Sequence, residues 1–285
     1  MTTTVTPASM FVDVNGLRLH YLDWGNQGAP VIVCVHGLTG HAHAFDGFAR
    51  RCAGRFHVLS LDVRGRGDSA WSPTGEYTMA AYTADLVAFI DALGLPRFTL
   101  VGTSMGGRIS MHYAATHAAR LERLVINDIG PDSEAGSDRI TAVGASRPAS
   151  FASLDDAVAY RARAMPAMAK APAEAQRESA LYALREGADG CWGWKHDPAI
   201  DQQRARDGAQ GYPALWQVLA SLQCPTLLLW GTVSDVLSEA QAHKIVATLP
   251  HGTLAPVAGS AHAPTLNEPD AAAALEAFLG TAVAV

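Results

Sequence analysis

One serine in this 285-residue chain lies among small residues at a point where chemistry could take place. The segment Gly102-Thr103-Ser104-Met105-Gly106-Gly107 follows the apolar run Phe98–Val101 and opens the stretch Met105–His117, whose apolar residues have helical spacing. A serine at such a strand-to-helix junction can sit on a sharp turn that lifts its hydroxyl clear of the backbone. The pattern predicts Ser104 as a nucleophile. The alternative is a glycine-rich turn with a helix-capping serine.

A serine hydroxyl is a weak nucleophile unless a neighbouring base takes its proton. Where a serine occupies a turn of this kind, the base follows the last strand of the sheet. His262 has that place in the chain, after the strand-like Thr253–Val257 and before the helix-like Ala271–Leu279. This order distinguishes it from the other ten histidines, and we expect His262 to be the base.

The base needs a carboxylate that orients its imidazole, placed at the end of an intervening strand. Two aspartates qualify. Asp235 follows the apolar run Thr226–Trp230, and Asp128 follows Leu124–Ile126. Because Gly130-Pro131 begins two residues after Asp128 and turns the chain towards the next segment, we favour Asp235 as the acid. For Asp128, two roles remain open: it is the alternative acid, or it is a residue of the substrate pocket.

Acyl transfer also requires hydrogen-bond donors for the negative charge that develops on the substrate oxygen. The backbone amide of Met105 lies at the start of a predicted helix, where it faces an incoming anion. His36-Gly37-Leu38 follows the buried run Val31–Val35, which is where the second donor of such a site is found. The amides of Leu38 and Met105 are therefore the predicted oxyanion hole. His36 itself is expected to have a structural hydrogen-bonding role.

Short apolar runs alternate with amphipathic stretches along most of the chain, which is typical of strands connected by helices. Asn15-Gly16 predicts a tight turn between two opening strands. The pattern indicates an α/β fold with a mostly parallel sheet and helices on both faces. The predicted elements are strands at Phe11–Val14, Leu17–Asp23, Val31–Val35, Phe56–Leu61, Phe98–Val101, Leu124–Ile126, Thr226–Trp230 and Thr253–Val257, and helices at Met79–Leu93, Met105–His117 and Ala271–Leu279.

The alternation stops over residues 131–222. This part contains alanine-, arginine- and glutamate-rich pieces broken by several prolines, and no run that predicts a strand. We expect a helical cap at 131–222, inserted between core parts at 1–130 and 223–285. Trp192 and Trp194 lie in this cap. They either line the substrate pocket or pack within the cap itself.

Composition excludes several classes of protein. The formal net charge is −6 with 17% charged residues, so no basic stripe is available for nucleic acid. The N-terminus lacks a signal-peptide pattern, and no apolar stretch approaches the roughly 20 residues of a membrane span. We therefore expect a cytoplasmic protein that engages neither nucleic acid nor membrane. The four cysteines form no C-x-x-C pair, and His36, His41 and His43 lack a carboxylate at ligand spacing, so no cofactor or metal is predicted.

These motifs together resemble the capped α/β-hydrolase superfamily, over a span from about residue 12 to the last helix. The segments that carry the resemblance are His36-Gly37, Asp62-Val63-Arg64-Gly65-Arg66-Gly67-Asp68-Ser69, Gly102–Gly107, Asp235 and His262. The resemblance implies the α/β-hydrolase fold with an eight-stranded sheet, and a structural role for the Arg64–Ser69 segment. Within the superfamily the chain is similar to bacterial carboxylesterases, enol-lactonases and carbon–carbon bond hydrolases. Epoxide hydrolases and haloalkane dehalogenases have aspartate where this chain has Ser104, so those activities are disfavoured.

The function that the resemblance implies is hydrolysis of small or medium carboxylic esters through an acyl-enzyme on Ser104. A lactonase or a carbon–carbon bond hydrolase would use the same triad. A third alternative is a ligand-binding member of the fold that keeps the triad but turns over weakly. The expected partner is a small-molecule ester or related acyl substrate, and the sequence leaves open whether the protein forms a homo-oligomer.

Overall fold

The computed structural model describes residues 5–132, 147–164, 169, 171–207 and 210–280. Eleven strands and nine α-helices lie in these ranges. The strands are β1 (Ala8–Val14), β2 (Leu17–Asp23), β3 (Val31–Val35), β4 (His57–Leu61), β5 (Phe98–Thr103), β6 (Leu121–Asn127), β7 (Ser150–Phe151), β8 (Leu184–Glu186), β9 (Trp192–Trp194), β10 (Thr226–Gly231) and β11 (Gly252–Val257). The helices are α1 (Asp46–Cys52), α2 (Met79–Ala92), α3 (Met105–His117), α4 (Leu154–Ala164), α5 (Ala173–Ala183), α6 (Pro198–Asp207), α7 (Leu215–Ser221), α8 (Glu239–Thr248) and α9 (Pro269–Leu279).

Eight strands form one sheet in the order β1-β2-β4-β3-β5-β6-β10-β11. Strand β2 pairs antiparallel with β1 and β4, and every other pair in this sheet is parallel. The β1–β2 turn places Asn15 and Gly16 at φ of 50° and 73°, as the tight hairpin turn predicted there requires. The eight-stranded, mostly parallel sheet is confirmed.

Both faces of the sheet are covered, which explains why its central strands are continuous apolar runs. Along β3, Val33 and Val35 pack into one buried cluster, while Ile32 and Cys34 pack into the other. Helices α2, α3, α7 and α8 supply the first cluster, and α1 and α9 supply the second. Because parallel strands end at the same edge, this arrangement brings the loops after β3, β5, β6 and β10 together.

Residues 131–222, called the cap segment below, connect β6 to β10. Its division from the core at residues 130 and 223 stays a prediction. One detail of the sequence analysis is wrong, because β7, β9 and β8 form a small antiparallel sheet where no strand was expected. Strands of two or three residues are too short to show the alternation by which strands are recognised. Trp192 and Trp194 of β9 pack against the small buried cluster of this segment.

The cap segment joins the core through the loop after β4. The backbone amide of Gly67 donates to the Lys195 carbonyl, and that of Asp197 donates to the Gly65 carbonyl, both at 2.9 Å. Gly65 and Gly67 adopt φ of 77° and 57°, which glycine tolerates best. This part of the Arg64–Ser69 segment thus forms a seam between core and cap segment. Among the helices described here, none is long and apolar enough to cross a bilayer.

Candidate active site

Ser104 lies on a tight turn between β5 and α3. Its backbone has φ 53° and ψ −118°, a conformation that non-glycine residues seldom adopt. The small neighbours allow the turn to pack closely, since a Cβ on Gly106 would lie 2.0 Å from the Val35 carbonyl oxygen, and one on Gly102 would lie 2.5 Å from the Gly106 oxygen. The Ser104 amide donates to the Asn127 carbonyl at 2.9 Å. The turn is therefore held from two neighbouring strands.

Three side chains form a continuous chain of hydrogen bonds at this edge of the sheet. Ser104 Oγ lies 2.7 Å from His262 Nε2, and His262 Nδ1 lies 2.8 Å from Asp128 Oδ2. A carboxylate can only accept, so Nδ1 carries the proton, and Nε2 is left to accept the serine proton. The His262 side chain is 7% exposed and that of Asp128 is 0% exposed. This is the arrangement that activates a serine hydroxyl.

The structure differs from the sequence prediction in the identity of the acid. Both ring nitrogens of His262 are engaged, by Ser104 and Asp128, so Asp235 is not its partner. Asp235 is exposed, whereas Asp128 is fully buried at the end of β6. Asp128 lies at the edge of the sheet directly after the last residue of β6, with a φ of 58°. The choice of Asp235 as the partner of His262 was wrong, because the structure places the alternative, Asp128, against the imidazole.

The carboxylate of Asp128 is held by two donors besides the histidine. Oδ1 accepts the Gly231 amide at 2.9 Å, and Oδ2 accepts the Ser234 hydroxyl at 2.7 Å. Gly231 is the last residue of β10, and Ser234 lies in the loop after it that also contains Asp235. That loop therefore fixes the acid instead of providing it.

Asn127 is a functional candidate that the sequence analysis missed. Its side-chain amide donates to the Pro264 carbonyl at 2.8 Å and to Thr103 Oγ1 at 3.1 Å, while its backbone carbonyl accepts the Ser104 amide. This one buried residue thus connects the serine turn to the loop that carries His262. Its position directly before Asp128, at the end of a buried strand, was the available signal.

The loop after β3 lies beside the serine. A Cβ on Gly37 would be 3.2 Å from the Cβ of Ser104, so the backbone leading to Leu38 touches the turn. Among the described residues, no backbone or side-chain acceptor takes the amide hydrogen of Leu38 or of Met105. Met105 is also the first residue of α3, where the helix dipole favours negative charge. Both predicted oxyanion donors are therefore near Ser104 and without a described acceptor.

A buried arginine stabilises the loop after β3 by hydrogen bonding. Arg66 is 1% exposed, and its Nε donates to the Leu38 carbonyl at 2.6 Å. One Nη contacts the Sδ of Met105 at 3.5 Å, and the other donates to the Tyr82 hydroxyl at 2.9 Å. A single cation thus contacts both residues of the predicted oxyanion hole.

His36 is buried in the floor of the site. Its Nδ1 donates to the Gly37 carbonyl at 2.7 Å, and its Nε2 accepts the Val63 amide at 3.2 Å. Burial lowers the pKa of His36 to about 4, so the ring is neutral near pH 7. Its two hydrogen bonds connect the loop after β3 to the loop after β4. Nearby Asp62 receives bonds from His20 and two backbone amides. Burial by itself raises the pKa of Asp62, but the hydrogen bond from His20, the electrostatic effect of the nearby histidines and the bond from the Asp68 amide together lower it to about 2.

One group of potential metal ligands lies outside the triad. Ligand atoms of His20, Asp62 and Asp68 lie within 4.8 Å of one another. Their polar atoms already have protein partners, since His20 pairs with Asp62 at 2.7 Å and Asp68 with Lys195 at 2.8 Å. We therefore assign these three residues a structural role. His43, considered above with His41 as a ligand, pairs instead with Asp46 at 3.1 Å, at the start of α1.

Comparison with known proteins agrees with this architecture. The family model for the alpha/beta hydrolase fold matches residues 30–269, which is most of the chain. The chain belongs to the α/β-hydrolase family.

Relatives of this α/β hydrolase include a 3-hydroxybutyrate-oligomer hydrolase from Cupriavidus necator, 31% identical over 88% of this chain and 89% of that protein. A crystal structure of an alpha/beta hydrolase from Novosphingobium aromaticivorans superposes with a TM-score of 0.81 at 31% identity, covering 96% of this chain and 98% of the other. The E-2-(acetamidomethylene)succinate hydrolase structure has a TM-score of 0.81 at 26% identity, covering 96% and 99%. The protein is thus a member of a hydrolase family.

Proposed function

We propose that this protein hydrolyses carboxylic esters of small or medium size through an acyl-enzyme on Ser104. The observation that carries the proposal is the unbroken hydrogen-bonded chain from Asp128 through His262 to the Ser104 hydroxyl, at 2.8 and 2.7 Å. The named relatives are hydrolases, which supports the general class of reaction. No metal or cofactor is needed for this chemistry.

In the proposed reaction, His262 Nε2 takes the Ser104 proton as Oγ attacks the carbonyl carbon of the ester. The carbonyl oxygen becomes negatively charged and receives hydrogen bonds from the amides of Leu38 and Met105. When the intermediate collapses, the bond to the leaving alcohol breaks, and His262 gives that alcohol its proton. Asp128 remains ionised throughout and keeps the Nδ1 proton in place.

The second half of the reaction regenerates the enzyme. His262 Nε2 takes a proton from water as its oxygen attacks the acyl carbon on Ser104. The same two amides stabilise the second oxyanion. Collapse then breaks the acyl–Oγ bond, the proton returns to Oγ, and the carboxylic acid leaves.

Turnover of an aryl ester by Ser104→Ala tests the proposal. The substitution removes one hydroxyl, so folding should be retained while kcat for p-nitrophenyl butyrate falls by about a thousandfold or more, because nucleophile and base act as a unit. Ser260→Ala, on the loop that carries His262, is the matched control and should keep wild-type turnover. Retained activity in Ser104→Ala would contradict the proposal, and absence of turnover in the wild type would favour the ligand-binding alternative.

Substrate size provides a further prediction. A cap of about ninety residues over the sheet edge should enclose the acyl group, and a lipid-anchoring amphipathic stretch was not found in the sequence. We expect p-nitrophenyl esters of short or medium acids to be cleaved with higher kcat/KM than long-chain triglycerides. Triolein as the best substrate, with strong activation at an oil–water interface, would contradict this expectation.

A further inference from the structure

Arginines gather where the cap segment meets the loops beside Ser104. Arg66 comes from the core, and three others come from the cap segment. We call Arg66, Arg147, Arg161 and Arg204 the basic cluster. None of the four is exposed by its accessible surface, which is unusual for arginine.

The basic cluster reaches the catalytic loops at two points. Arg66 bonds the Leu38 carbonyl and touches Met105, as described above. His41 ends the loop after β3 that contains Leu38, and Arg161 of α4 is close enough to act on it electrostatically. The pKa of His41 is lowered to about 3, chiefly by burial, and the positive charge of Arg161 is a minor part of that shift. Helix α5 closes over this loop, since the ring of Tyr182 stacks on His43 with centroids 3.5 Å apart.

Three members of this cluster, Arg66, Arg147 and Arg161, meet little negative charge among the described residues. Among the described residues, Asp201 is the carboxylate within 4.0 Å of Arg147, at 3.5 Å, and it is shared with His196 at 3.3 Å. Within the same part of the chain, neither Arg66 nor Arg161 has a carboxylate inside that distance. Arg66 instead bonds neutral groups, namely backbone carbonyls, a phenol and a thioether.

The guanidinium groups also act on one another. Burial, followed by the charge of Arg147, lowers the pKa of Arg161. Burial, followed by the charge of Arg66, lowers the pKa of Arg204. Nε of Arg161 is buried without a hydrogen-bond partner among the described residues, while one of its Nη atoms donates to Ser179 at 2.8 Å. Uncompensated buried charge is costly, so an anion entering this region would be stabilised.

We infer that the basic cluster binds a carboxylate that the substrate carries in addition to the ester bond cleaved at Ser104. Guanidinium groups suit this ligand because their planar N–H donors match the two oxygens of a carboxylate. The ester lies at the triad, and the charged end lies under the cap segment, against Arg147 and Arg161. This inference rests on the proposed function and specifies its substrate as an anionic monoester.

Two matched substrate pairs test the inference. Mono-p-nitrophenyl adipate against p-nitrophenyl hexanoate places the carboxylate on the acyl side. 4-Carboxyphenyl butyrate against phenyl butyrate places it on the alcohol side. We expect kcat/KM to favour the charged member of at least one pair by about tenfold or more, the size of one good hydrogen bond to a charged group. The pair that shows the preference identifies which end of the substrate faces the cluster.

Arg161→Gln and Arg147→Gln should remove this preference. In each variant, kcat/KM for the charged ester should fall by about tenfold, mostly through KM, while that for the neutral ester stays within twofold to threefold. Arg163→Gln is the matched control, because Arg163 is exposed on the same helix as Arg161. Arg66 is left unchanged here because it contacts the predicted oxyanion residues.

The outcomes separate the inference from the proposed function. If the wild type hydrolyses the neutral esters, but in both pairs its kcat/KM for the charged ester is equal to or lower than that for the neutral ester, the inference fails and the proposed function stands. Equal losses for charged and neutral substrates in both arginine variants would also overturn the inference. If the wild type cleaves none of the four esters, the proposed function itself fails.

Discussion

The sheet edge that carries Ser104 and the cap segment above it are built in different ways. At the edge, the side chains of Asp128 and His262 are almost completely buried. His262 is held by Ser104 and Asp128, and Asp128 also accepts the backbone amide of Gly231. In the described part of the cap segment, the separate buried cluster has five members, and the strands are two or three residues long. In the proposed reaction, the first region fixes the positions of the reacting atoms, and the second contributes the basic cluster.

This difference assigns separate tasks to the two regions. A group that must stay within tenths of an ångström of a reacting atom requires rigid support, and the edge of the sheet provides it. Recognition of a distant part of the substrate tolerates more movement. Substitutions at the edge should therefore lower kcat, and substitutions in the cap segment should change KM and selectivity.

The largest expected effect compares the two aspartates at the ends of β6 and β10. Asp128→Asn should lower kcat for p-nitrophenyl butyrate by about 10⁴-fold, because the amide no longer holds His262 in the required tautomer. Asp235→Asn, at an exposed position, should stay within a few-fold of wild type. Thermal melts of both variants serve as the folding control. The assignment fails if Asp235→Asn is the inactive variant and Asp128→Asn retains activity.

The same two aspartates mark the limit of what the sequence could predict. Both follow strands that end at the same edge, so chain order alone allowed either. The decision depends on how far the His262 loop extends across the sheet and on Gly231 and Ser234, which bond Asp128 from a distance of about a hundred residues along the chain. Such tertiary contacts leave no local pattern.

Elements with strong local signals were predicted well. The eight strands of the main sheet and α3 follow from apolar runs and from the glycines around Ser104. The strands β7, β8 and β9 were missed because they are short and occur amid helix-forming residues. Arg66 was placed in a structural segment, but its contacts with Leu38 and Met105 depend on the folding of three separate loops against one another.

A smaller effect is expected at Asn127, the positioning residue of the catalytic edge. Asn127→Ala removes donors to Pro264 and Thr103, so the His262 loop loses an anchor. We expect kcat to fall by about tenfold to a hundredfold with KM little changed, and stability to fall by about 1–3 kcal/mol, as for lost buried hydrogen bonds. Asn267→Ala, at an exposed position farther along that loop, is the control. A loss of stability with unchanged kcat would reduce Asn127 to a structural role.

The buried floor of the site should also make stability depend on pH. The folded-state pKa of His36 is about 4, below the ordinary value near 6.5, so the unfolded chain binds more protons between these values. Stability should therefore fall as the pH drops from about 6.5 to 4, by roughly 3 kcal/mol from this residue. The free energy of unfolding in urea at pH 7 and pH 5 measures the change.

His36→Gln should reduce that pH dependence, and His41→Gln should do the same if the first variant folds poorly. His251→Gln, at an exposed position, is the control and should leave the dependence intact. An unchanged dependence in both of the buried-histidine variants would remove these residues as its source.

The smallest effect is expected on the outer surface of the cap segment. Arg177 and Asp155 form an ion pair at 2.7 Å, but their side chains are 56% and 87% exposed. Solvent screens such pairs, so Arg177→Ala should change stability by less than about 1 kcal/mol and leave kcat and KM unaltered. A large loss in thermal melts or in turnover would show that this surface supports the site.

The central claim, that Ser104 is the nucleophile, is tested most directly by covalent labelling. A fluorophosphonate probe reacts with an activated serine, and peptide mapping by mass spectrometry locates the bond. The structure predicts one label per chain, on the peptide that contains Ser104, in the wild type and in Asp235→Asn, with no label in Ser104→Ala. A label on another residue, or a folded wild-type protein that takes none, would contradict the account.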